Sequence, residues 1–553
     1  MKRYAIIAIL LTAGALGFRL LLALRYPTDQ PDDGRAYAAL ARNVIEHGSY
    51  SVEIEEPFTP TYIRVPGYPL FLAGVYRVFG IDNNRAVRVI QAGLDTLTCW
   101  VIAFLALAWA PADWEPGRRR RVLLIALALA ASCPFGAIYV ATILTEVWAT
   151  LLVTSNVLAA TLAFKARTRA RGLVLWVVAG VLGGTATLVR PDSGFFVAAV
   201  GLTVAIVGLI EAVRARKAAT RKLVPALLGS AVLRGLVFSI GFALALAPWT
   251  IRNARLFGVF EPIAPAAASM PQDFVPQGYV TWLKTWVDHE RYTDAFEYGL
   301  DLRQIHIDKA PSYAFDSPEE RDRVAALLDR YNNKILVGPP APPPAPPPEA
   351  PKPSDTASEE EQQDASDEEQ NSDSDEEASD EEDPPEEPDE SEENDPDVKM
   401  TPEIDALFGE IAQERIARHP VRYYIVVPAR RIISLWFDAH AQYYPFQGWL
   451  FPVSGMDPDI HQQYWLSLFC FLMWGYTLLA AVGMYLFGKA RETRVWVVML
   501  TLLIVPRLLF LSGLEHPEPR YTVEFFILIL AVASAALSGL SLKRVFKRKS
   551  AEL

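Results

Sequence analysis

Long apolar runs alternate with short polar segments along the chain, and the length of these runs is the main structural signal. Each run is close to the roughly 20 residues with which a helix crosses a hydrocarbon core about 30 Å thick. The runs lie at residues 4–24, 85–109, 122–138, 144–164, 173–189, 193–213, 228–248, 465–488, 495–514 and 522–542. The pattern therefore predicts an all-α polytopic membrane protein with about ten transmembrane helices.

Basic clusters occupy alternate gaps between the runs and indicate the orientation. They are MKR at 1–3, RRRR at 118–121, KARTRAR at 165–171, RARKAATRK at 214–222, KARETR at 489–494 and KRVFKRK at 543–549. Cytoplasmic loops are enriched in Arg and Lys, so these gaps and both termini are predicted to be cytoplasmic. The first run resembles a signal peptide, but its length and the spans that follow favour an uncleaved span. Residues 25–84 and 249–464 are then predicted to lie on the outer side.

The outer region 249–464 contains a Pro-rich and acidic insert at 338–400 that dominates the charge of the chain. Residues 349–399 hold 25 Asp and Glu against 2 Lys, so the formal charge of −12 becomes about +11 without them. Such a segment buries too little apolar surface to fold alone, and a disordered tether is predicted. Binding of Ca²⁺ or of a cationic partner is the alternative.

The predicted organisation has three parts. A transmembrane core spans 1–248 and includes the first outer loop, 25–84. The outer region 249–464 follows, and 465–553 forms the last helices and a basic cytoplasmic tail. Within the outer region, segments near residues 281 and 419 mix aromatic, basic and aliphatic residues. Both are predicted to be interfacial helices.

The first outer loop contains two helical patterns. In PDDGRAYAALARNVIEHGSYS (31–51), apolar residues recur at helical spacing at Tyr37, Leu40, Ala41 and Val44. Gly48 ends this pattern, and a second amphipathic helix follows Arg64 in YIRVPGYPLFLAGVYRVFG (62–80). Asp33 falls at the predicted N-cap, where a carboxylate accepts a backbone N–H. The residues alone leave open whether Asp33 only caps the helix or also acts chemically at the membrane surface.

Arginines are predicted at the outer ends of several spans and in the first outer loop. They are Arg64, Arg190, Arg252 and Arg520. Basic residues usually accumulate on the cytoplasmic side, so this group indicates a shared anionic ligand. The guanidinium fork matches phosphate oxygens, which favours a lipid phosphate. Two alternatives stay open: Arg190 could simply pair with Asp192, and Arg64 could be a snorkelling cation.

Further polar residues lie on the same predicted face. Glu146 lies at the outer mouth of a span, where a carboxylate is costly, although Thr145 could instead cap the helix there. Asn253, His516 and Tyr521 accompany the outer arginines in PWTIRN and EHPEPRY. Asp95 and Arg507 lie inside spans and could form a structural ion pair. The three Cys lie in apolar runs and give neither a disulfide framework nor a metal-ligand pair.

The order of these motifs resembles the bacterial membrane glycosyltransferases of the C-type fold. These are relatives of the protein O-mannosyltransferases and of the lipid A aminoarabinose transferase. The motifs are DDGRAYAALARNVIEHGSYS, RVPGYPLFLAGVYRVFG, LTE, RPD, PWTIRN and RY. The resemblance covers residues 1 to about 265 well and the last three spans loosely, and it gives the acidic insert no counterpart.

The resemblance implies inverting transfer of a sugar from a polyprenyl-phosphate donor to a glycan, lipid or protein acceptor. The reaction would occur on the periplasmic face of the bacterial inner membrane, without a nucleic-acid partner. The family's first-loop acid matches Asp33, four residues before Tyr37, and would act as general base. Many relatives have Asp-Glu where this chain has Asp33-Gly34, preceded by Asp32. Asp32 is therefore a second candidate, and Glu146 could supply another carboxylate.

The other predicted roles concern the leaving group and a metal. Arg190, Arg252 and Arg520, together with Arg64, would stabilise the developing charge on the lipid phosphate. Tyr37, Asn253, Tyr521 and His516 are further site candidates. No cofactor is expected with certainty, but Asp33, Glu146 and His516 could assemble a divalent-metal site in space.

Two other functions remain alternatives. A transporter or lipid flippase would also explain about ten spans with charges inside them, although it predicts paired half-repeats, and no such repeat is visible. A non-catalytic lipid-phosphate-binding scaffold would use the acidic tether to recruit a basic partner. A soluble nucleotide-sugar donor is disfavoured, because the candidate residues lie on the outer face and no nucleotide-binding loop is visible.

Overall fold

A computed structural model describes residues 2–28, 32–217, 221–265, 269–270, 273–333, 398–446 and 460–539. The side chain of Asp32, nearly all of the acidic insert and the basic tail at 543–549 lie outside this described part. The disordered-tether expectation therefore stays a prediction.

The described part contains 17 α-helices and no strand. The first ten are α1 (Lys2–Arg25), α2 (Asp32–Glu46), α3 (Gly67–Phe79), α4 (Asn84–Trp109), α5 (Pro116–Ser132), α6 (Pro134–Ala137), α7 (Glu146–Phe164), α8 (Arg169–Val189), α9 (Gly194–Lys217) and α10 (Val224–Phe257). The others are α11 (Gln277–Lys284), α12 (Pro318–Asn332), α13 (Pro402–Arg418), α14 (Val427–Phe437), α15 (Ile460–Lys489), α16 (Arg494–Leu511) and α17 (Val523–Ser538).

The described helices confirm the predicted fold class, an all-α polytopic membrane protein. Nine spans of the described part are long and apolar enough to cross a membrane: α1, α4, α7 to α10, α15, α16 and α17 together with the turn that precedes it, Pro519–Ser538. The bent pair formed by α5 and residues 134–141 raises the number to 10 if it is one span. Each predicted apolar run therefore corresponds to a helix or to this pair.

The predicted span at 122–138 is broken near its C-terminal end. α5 ends at Ser132, and the next helical piece, Pro134–Ala141, continues at an angle of 52°. Pro134 causes the break locally, because it has no N–H with which to bond the carbonyl of Ala130. Arg19 of α1 donates to this carbonyl instead, with Nη2 3.1 Å from the Ala130 oxygen.

The same guanidinium neutralises a buried carboxylate of the neighbouring span. Arg19 Nε donates to Asp95 Oδ2 over 2.6 Å, and both side chains are buried. Asp95 therefore pairs with Arg19, and the pairing of Asp95 with Arg507 that the sequence left open does not occur. Distance along the sequence did not indicate which of several intramembrane cations would reach this acid.

The helix that carries PWTIRN is longer than its apolar run. The run predicts a span at 228–248, whereas α10 extends to Phe257 and encloses Pro248. Gly258, with φ of 69°, follows its end in the left-handed conformation that favours glycine. The predicted domain boundary after residue 248 consequently falls inside a helix.

The two predicted amphipathic helices of the first outer loop are α2 and α3. Gly48, with φ of 66°, follows α2 as the pattern predicts. The start of α3 packs directly on the end of α8, where a Cβ on Gly67 would lie 2.6 Å from the carbonyl oxygen of Leu188. This close approach holds the loop beside the residues that follow α8.

The outer region has its own apolar core, built by α11, α12 and α13. Trp282 and Trp286 are almost completely buried in this core. The prediction of an interfacial helix near residue 281 is therefore wrong, since these aromatic side chains pack inside the region. The segment near 419 leads into α14 and exposes Tyr424 and Ile425, and its interfacial placement stays a prediction.

A buried arginine fastens the outer region to the transmembrane bundle. Arg431 in α14 donates to the carbonyl oxygen of Val287 over 2.6 Å. It also donates to the carbonyl oxygen of Ser512, just after α16, over 3.1 Å. These bonds place the outer region over the end of the bundle at which α16 ends and α17 begins.

Candidate functional site

Six of the predicted site residues line one small cavity at this end of the bundle. They are Asp33, Tyr37, Glu146, Arg190, Arg520 and Tyr521. The cavity has a volume of about 100 Å³. Its walls come from the first turns of α2, the start of α7, the segment after α8 and the turn before α17. Residues from four distant parts of the sequence therefore meet there, as the motif positions predict.

Asp33 lies at the wall of this cavity between Arg520, which also lines it, and Arg64, which does not. Arg64 Nη2 is 2.9 Å from Asp33 Oδ1, and Arg520 Nη2 is 3.6 Å from Asp33 Oδ2. About a third of the Asp33 side chain, 32%, is exposed, so the carboxylate stays accessible. Because α2 begins at Asp32, Asp33 is in the first helical turn and not at the predicted N-cap. Arg64 is correspondingly an ion-pair partner and not a free snorkelling cation.

Tyr37 lies one helical turn after Asp33, and its phenol is held neutral. Burial raises the pKa of Tyr37, and the negative charge of Asp33 raises it further. The ring packs edge-on against Tyr68 of α3, with the ring centroids 5.4 Å apart. Tyr37 is therefore a fixed hydroxyl donor at the cavity wall.

Arg520 has an acidic partner that the sequence analysis missed. Its Nε bonds Glu518 Oε2, and its Nη1 donates to the hydroxyl of Tyr443 over 3.3 Å. Burial raises the pKa of Glu518 to about 7, although the Arg520 charge opposes the shift. Glu518 precedes Arg520 by two residues in EHPEPRY, so the motif itself contained this signal.

Arg190 is surrounded by three carboxylates. Its Nη1 is 2.9 Å from Glu146 Oε1, and its Nε is 3.1 Å from Asp192 Oδ1 and 3.4 Å from Glu524 Oε1. The pairing with Asp192 that the sequence left open therefore occurs, but it is one of three. Thr145 makes no side-chain cap at the start of α7, so the capping alternative for this turn is wrong.

The ion-pair network continues from Arg190 into the bundle. Arg507 of α16 is fully buried and contacts Asp192 Oδ2 over 2.5 Å and Glu524 Oε2 over 2.6 Å. The network thus contains three carboxylates but two guanidiniums: Glu146, Asp192 and Glu524 against Arg190 and Arg507. An anionic ligand could reach these guanidiniums only by displacing a carboxylate. Glu524 could have been identified from the sequence, because it is an acidic residue within the apolar run of α17. Acidic residues inside transmembrane spans are rare and are usually functional.

Arg252 and Asn253 lie away from the cavity, and the prediction that they share it is wrong. Arg252 Nη1 donates to the carbonyl oxygen of Thr61 over 2.9 Å, and its guanidinium lies 4.6 Å from the Trp249 ring centroid. Asn253 Nδ2 donates to the carbonyl oxygen of Glu261 over 2.8 Å. These contacts fix the first outer loop and the segment after α10.

His516 belongs to a different acidic group from the one expected. Its Nδ1 is 2.7 Å from Glu297 Oε1, and its ring packs edge-on near Tyr521, with centroids 5.7 Å apart. Although burial disfavours the cation, the hydrogen bond with Glu297 raises the pKa of His516.

Within the described part, the residues that could hold a metal ion are Glu297, Glu515 and His516. Their ligand atoms lie within 4.8 Å of one another. Asp33 and Glu146 do not belong to this group, so the expected metal set is not brought together. Lys284 Nζ lies 3.2 Å from Glu515 Oε2 and already neutralises part of the negative charge.

No protein-family model and no curated protein matches the chain. Solved structures of the oligosaccharyltransferase AglB from Archaeoglobus fulgidus are weakly similar. The complex with an inhibitory peptide and a dolichol-phosphate is 12% identical, with a TM-score of 0.45 over 98% of this chain and 52% of that chain. The apo form is 12% identical, with a TM-score of 0.42 over 98% and 52%.

The form tethered to an acceptor peptide is 11% identical, with a TM-score of 0.44 over 98% and 50%. The chain therefore spans about half the length of these structures. Similarity at this level assigns the chain to no family.

Proposed function

We propose that the chain is a membrane glycosyltransferase that uses a polyprenyl-phosphate sugar as donor and inverts the anomeric carbon. The observation that supports this most strongly is the position of Asp33. A partly exposed carboxylate lies against Arg64 and Arg520 at a cavity at one end of a transmembrane bundle. Such a reaction needs a base for the acceptor and cations for the leaving phosphate within the same site.

In the proposed reaction, Asp33 removes the proton from an acceptor hydroxyl or amine. The acceptor atom bonds to the anomeric carbon while the bond between that carbon and the phosphate oxygen breaks. The electron pair leaves with the polyprenyl phosphate, and Asp33 ends the step protonated. A base within hydrogen-bond reach of the attacking group typically accelerates such a reaction about 10²–10⁴-fold.

Arg64 and Arg520 are the proposed ligands of the donor phosphate. In the structure both guanidiniums contact Asp33. A phosphate that entered beside Asp33 would take over these contacts and would leave the carboxylate as an unpaired base.

Arg190 and Glu146 have a supporting role in this proposal. Arg190 lines the cavity, but its guanidinium is bonded to three carboxylates. It therefore orients Glu146 at the wall and is not proposed as a ligand of the phosphate. Arg252 is not proposed as a phosphate ligand, because its guanidinium is occupied outside the cavity.

The size of the cavity defines what enters it. A volume of about 100 Å³ is well below the 300–1,000 Å³ of typical ligand pockets. The cavity accommodates the phosphate and the reacting end of the sugar only. The polyprenyl chain would lie along the bundle, and the acceptor would approach below the outer region.

The proposed location is the bacterial inner membrane, with the site facing the periplasm and a glycan, lipid or protein as acceptor. The helices that carry the site support this orientation. Glu146 begins α7, and Arg190 directly follows α8, whereas the basic segment 165–171 joins the opposite ends of these helices. The positive-inside rule assigns that segment to the cytoplasm.

The test uses the full chain purified in detergent with a panel of radiolabelled polyprenyl-phosphate sugars and native membrane extract as acceptor. Donor binding and label transfer are measured separately, and the anomeric configuration of the product is determined. Transfer with inversion is expected. Binding of the donor without transfer across the whole panel would overturn the proposal in favour of a flippase or a lipid-phosphate-binding scaffold.

A further inference from the structure

A second and larger cavity lies between the outer region, α14 and α15. It has a volume of about 700 Å³, within the range of 300–1,000 Å³ typical of ligand pockets. None of its lining residues belongs to the cavity that contains Asp33. Its floor is apolar and includes Phe437, Cys470 and Trp474.

Contacts between helices show at which level of the bundle this cavity lies. Trp436 Nε1 donates to Thr477 Oγ1 over 3.0 Å and thereby joins α14 to α15. The Trp436 ring also stacks on Phe525, near the start of α17, with centroids 5.7 Å apart. Thr477 and Phe525 thus lie at about the level of Trp436. Cys470 lies about 10 Å before Thr477 along the axis of α15, given a rise of about 1.5 Å per residue. The cavity floor at Cys470 is therefore level with the turn that precedes α17.

The apolar floor is open to the surroundings of the bundle. Ile433 is 59% exposed and Phe437 40% exposed, although both belong to a helix that packs on transmembrane spans. Large exposed apolar side chains at this level fit hydrocarbon better than water. A hydrocarbon chain from the bilayer can thus lie along this floor.

The rim of the cavity carries both signs of charge. Arg430 Nη1 is 3.3 Å from Asp288 Oδ2, and His289 Nε2 is 3.1 Å from Asp438 Oδ2. Arg291 adds a second guanidinium to the rim. Two arginines therefore face two carboxylates, beside a histidine, across one opening. A ligand that carries one anionic and one cationic group matches this rim better than a purely anionic one.

A buried hydroxyl inside the cavity also indicates a polar ligand. Ser434 lines the cavity and is only 8% exposed. Its Oγ has no hydrogen-bond partner among the described residues. Buried hydroxyls are nearly always satisfied, and a ligand oxygen in the cavity would satisfy this one.

We propose that this cavity binds a zwitterionic aminophospholipid of the bilayer. The phosphate lies between Arg291, Arg430 and the hydroxyl of Ser434. The ammonium group faces Asp288 and Asp438. One acyl chain follows Phe437 and Trp474 toward the hydrocarbon core. This site is separate from the proposed donor site, and its existence does not depend on glycosyl transfer.

The site also has a structural connection to the Asp33 cavity. The segment that lines the aminophospholipid cavity with Asp438 continues to Gln442 and Tyr443. Gln442 Nε2 contacts Glu518, and the Tyr443 hydroxyl accepts a hydrogen bond from Arg520. A lipid seated against Asp438 thus supports the segment that holds Arg520.

The test uses the full chain in detergent and native mass spectrometry at equal concentrations of three lipids. These are dilauroyl phosphatidylethanolamine, dilauroyl phosphatidylglycerol and a polyprenyl phosphate. The wild type is compared with Arg430→Ala, with Ser434→Ala and with Arg77→Ala, a matched removal of an exposed arginine on α3. Wild type and Arg77→Ala should retain about tenfold more ethanolamine lipid than glycerol lipid. Arg430→Ala and Ser434→Ala should lose most of that preference.

A thiol in the cavity floor localises the bound lipid. The three cysteines are free and buried, so Cys99→Ala with Cys133→Ala leaves Cys470 as the thiol to alkylate. The ethanolamine lipid should slow alkylation of Cys470, and Arg430→Ala should abolish this protection.

Three results would overturn the proposal. The first is equal or better retention of the glycerol lipid or the polyprenyl phosphate. The second is an unchanged preference in Arg430→Ala. The third is alkylation of Cys470 at the same rate with and without the ethanolamine lipid. If Cys470 does not react even without lipid, the retention measurements alone decide.

Discussion

Asp33 and Arg520 come from opposite ends of the chain, yet Asp33 Oδ2 and Arg520 Nη2 lie 3.6 Å apart at the wall of one cavity. Arg64 approaches the other carboxylate oxygen, so the acid is bridged by two guanidiniums. The pair connects the first outer loop to the turn before the last span. It is the structural basis for assigning the base and the phosphate ligands to one site.

The first prediction concerns Arg520 as a phosphate ligand. Arg520→Lys keeps the charge but loses the planar fork of donors, so transfer should fall while the chain still folds. Arg520→Ala should lower the transfer rate by about 10²-fold or more, as removal of a donor to a developing anion typically does. Rates at saturating donor, with donor affinity measured separately, check this. Arg77→Ala is the control, and full activity in Arg520→Ala would refute the assignment.

The second prediction concerns Arg507, which holds the buried network and does not line the cavity. Arg507→Met should remove one of the two guanidiniums that neutralise Asp192 and Glu524 and leave Arg190 alone among three carboxylates. Breaking a buried pair in this way costs about 3–5 kcal/mol of folding free energy. Denaturant unfolding in detergent measures the change. Arg494→Met, at the start of α16, should change stability by less than about 1 kcal/mol. Equal stabilities of the two variants would contradict the network.

The third prediction is a pH dependence of stability that originates at Glu518. Burial raises the pKa of this carboxyl to about 7, above its ordinary value of 4.5. Between these values the folded chain keeps a proton that the unfolded chain releases, so stability falls as the pH rises from about 4.5 to about 7. The loss amounts to about 3 kcal/mol.

Unfolding curves of wild type and Glu518→Gln across this pH range test the assignment. The amide cannot titrate, so the variant should lack this part of the slope. An identical pH dependence in both proteins would show that Glu518 is not the responsible group.

The fourth prediction separates Arg252 from the phosphate site. Its guanidinium donates to Thr61 and packs on Trp249, outside the cavity. Arg252→Ala should therefore lower the free energy of unfolding by about 1–3 kcal/mol, because the carbonyl of Thr61 loses its hydrogen-bond donor. Affinity for the polyprenyl-phosphate donor should stay within about twofold of the wild type when measured below the unfolding temperature. A large loss of donor affinity in a folded variant would return Arg252 to the site.

The parts of the fold that depend on local composition could be predicted from the sequence. Run length predicts the spans, because the hydrocarbon core demands about 20 apolar residues whatever their neighbours. The periodicity of Tyr37, Leu40 and Val44 likewise predicts α2. The break at Pro134 was not predicted, although proline removes a helical donor and the signal was therefore present in the sequence. These features require no knowledge of distant contacts.

The partners of the charged residues could not be predicted. The sequence places Arg252, Arg507 and Asp95 near or inside spans but does not indicate which distant group each one meets. Arg507 contacts Asp192 and Glu524, while Asp95 contacts Arg19, because the packing of the spans decides these pairs. For the same reason Trp282 was assigned to an interface although it packs in a core of the outer region. Six site residues did converge as predicted, since they share one end of the bundle.

If Asp33 is the base of the proposed reaction, Asp33→Asn should separate donor binding from sugar transfer. This change keeps the shape of the side chain and removes its ability to accept a proton as a carboxylate. Asp82→Asn is the matched control, since Asp82 lies in the same outer loop and pairs with Arg42 away from the cavity. Both variants are assayed for donor binding and for single-turnover transfer.

We expect Asp33→Asn to bind the donor but to transfer sugar about 10²–10⁴-fold more slowly, while Asp82→Asn matches the wild type. Normal transfer by Asp33→Asn would show that Asp33 is not the base. Asp33 would then be a structural partner of Arg64 and Arg520, and Asp32 and Glu146 would become the candidates for the base.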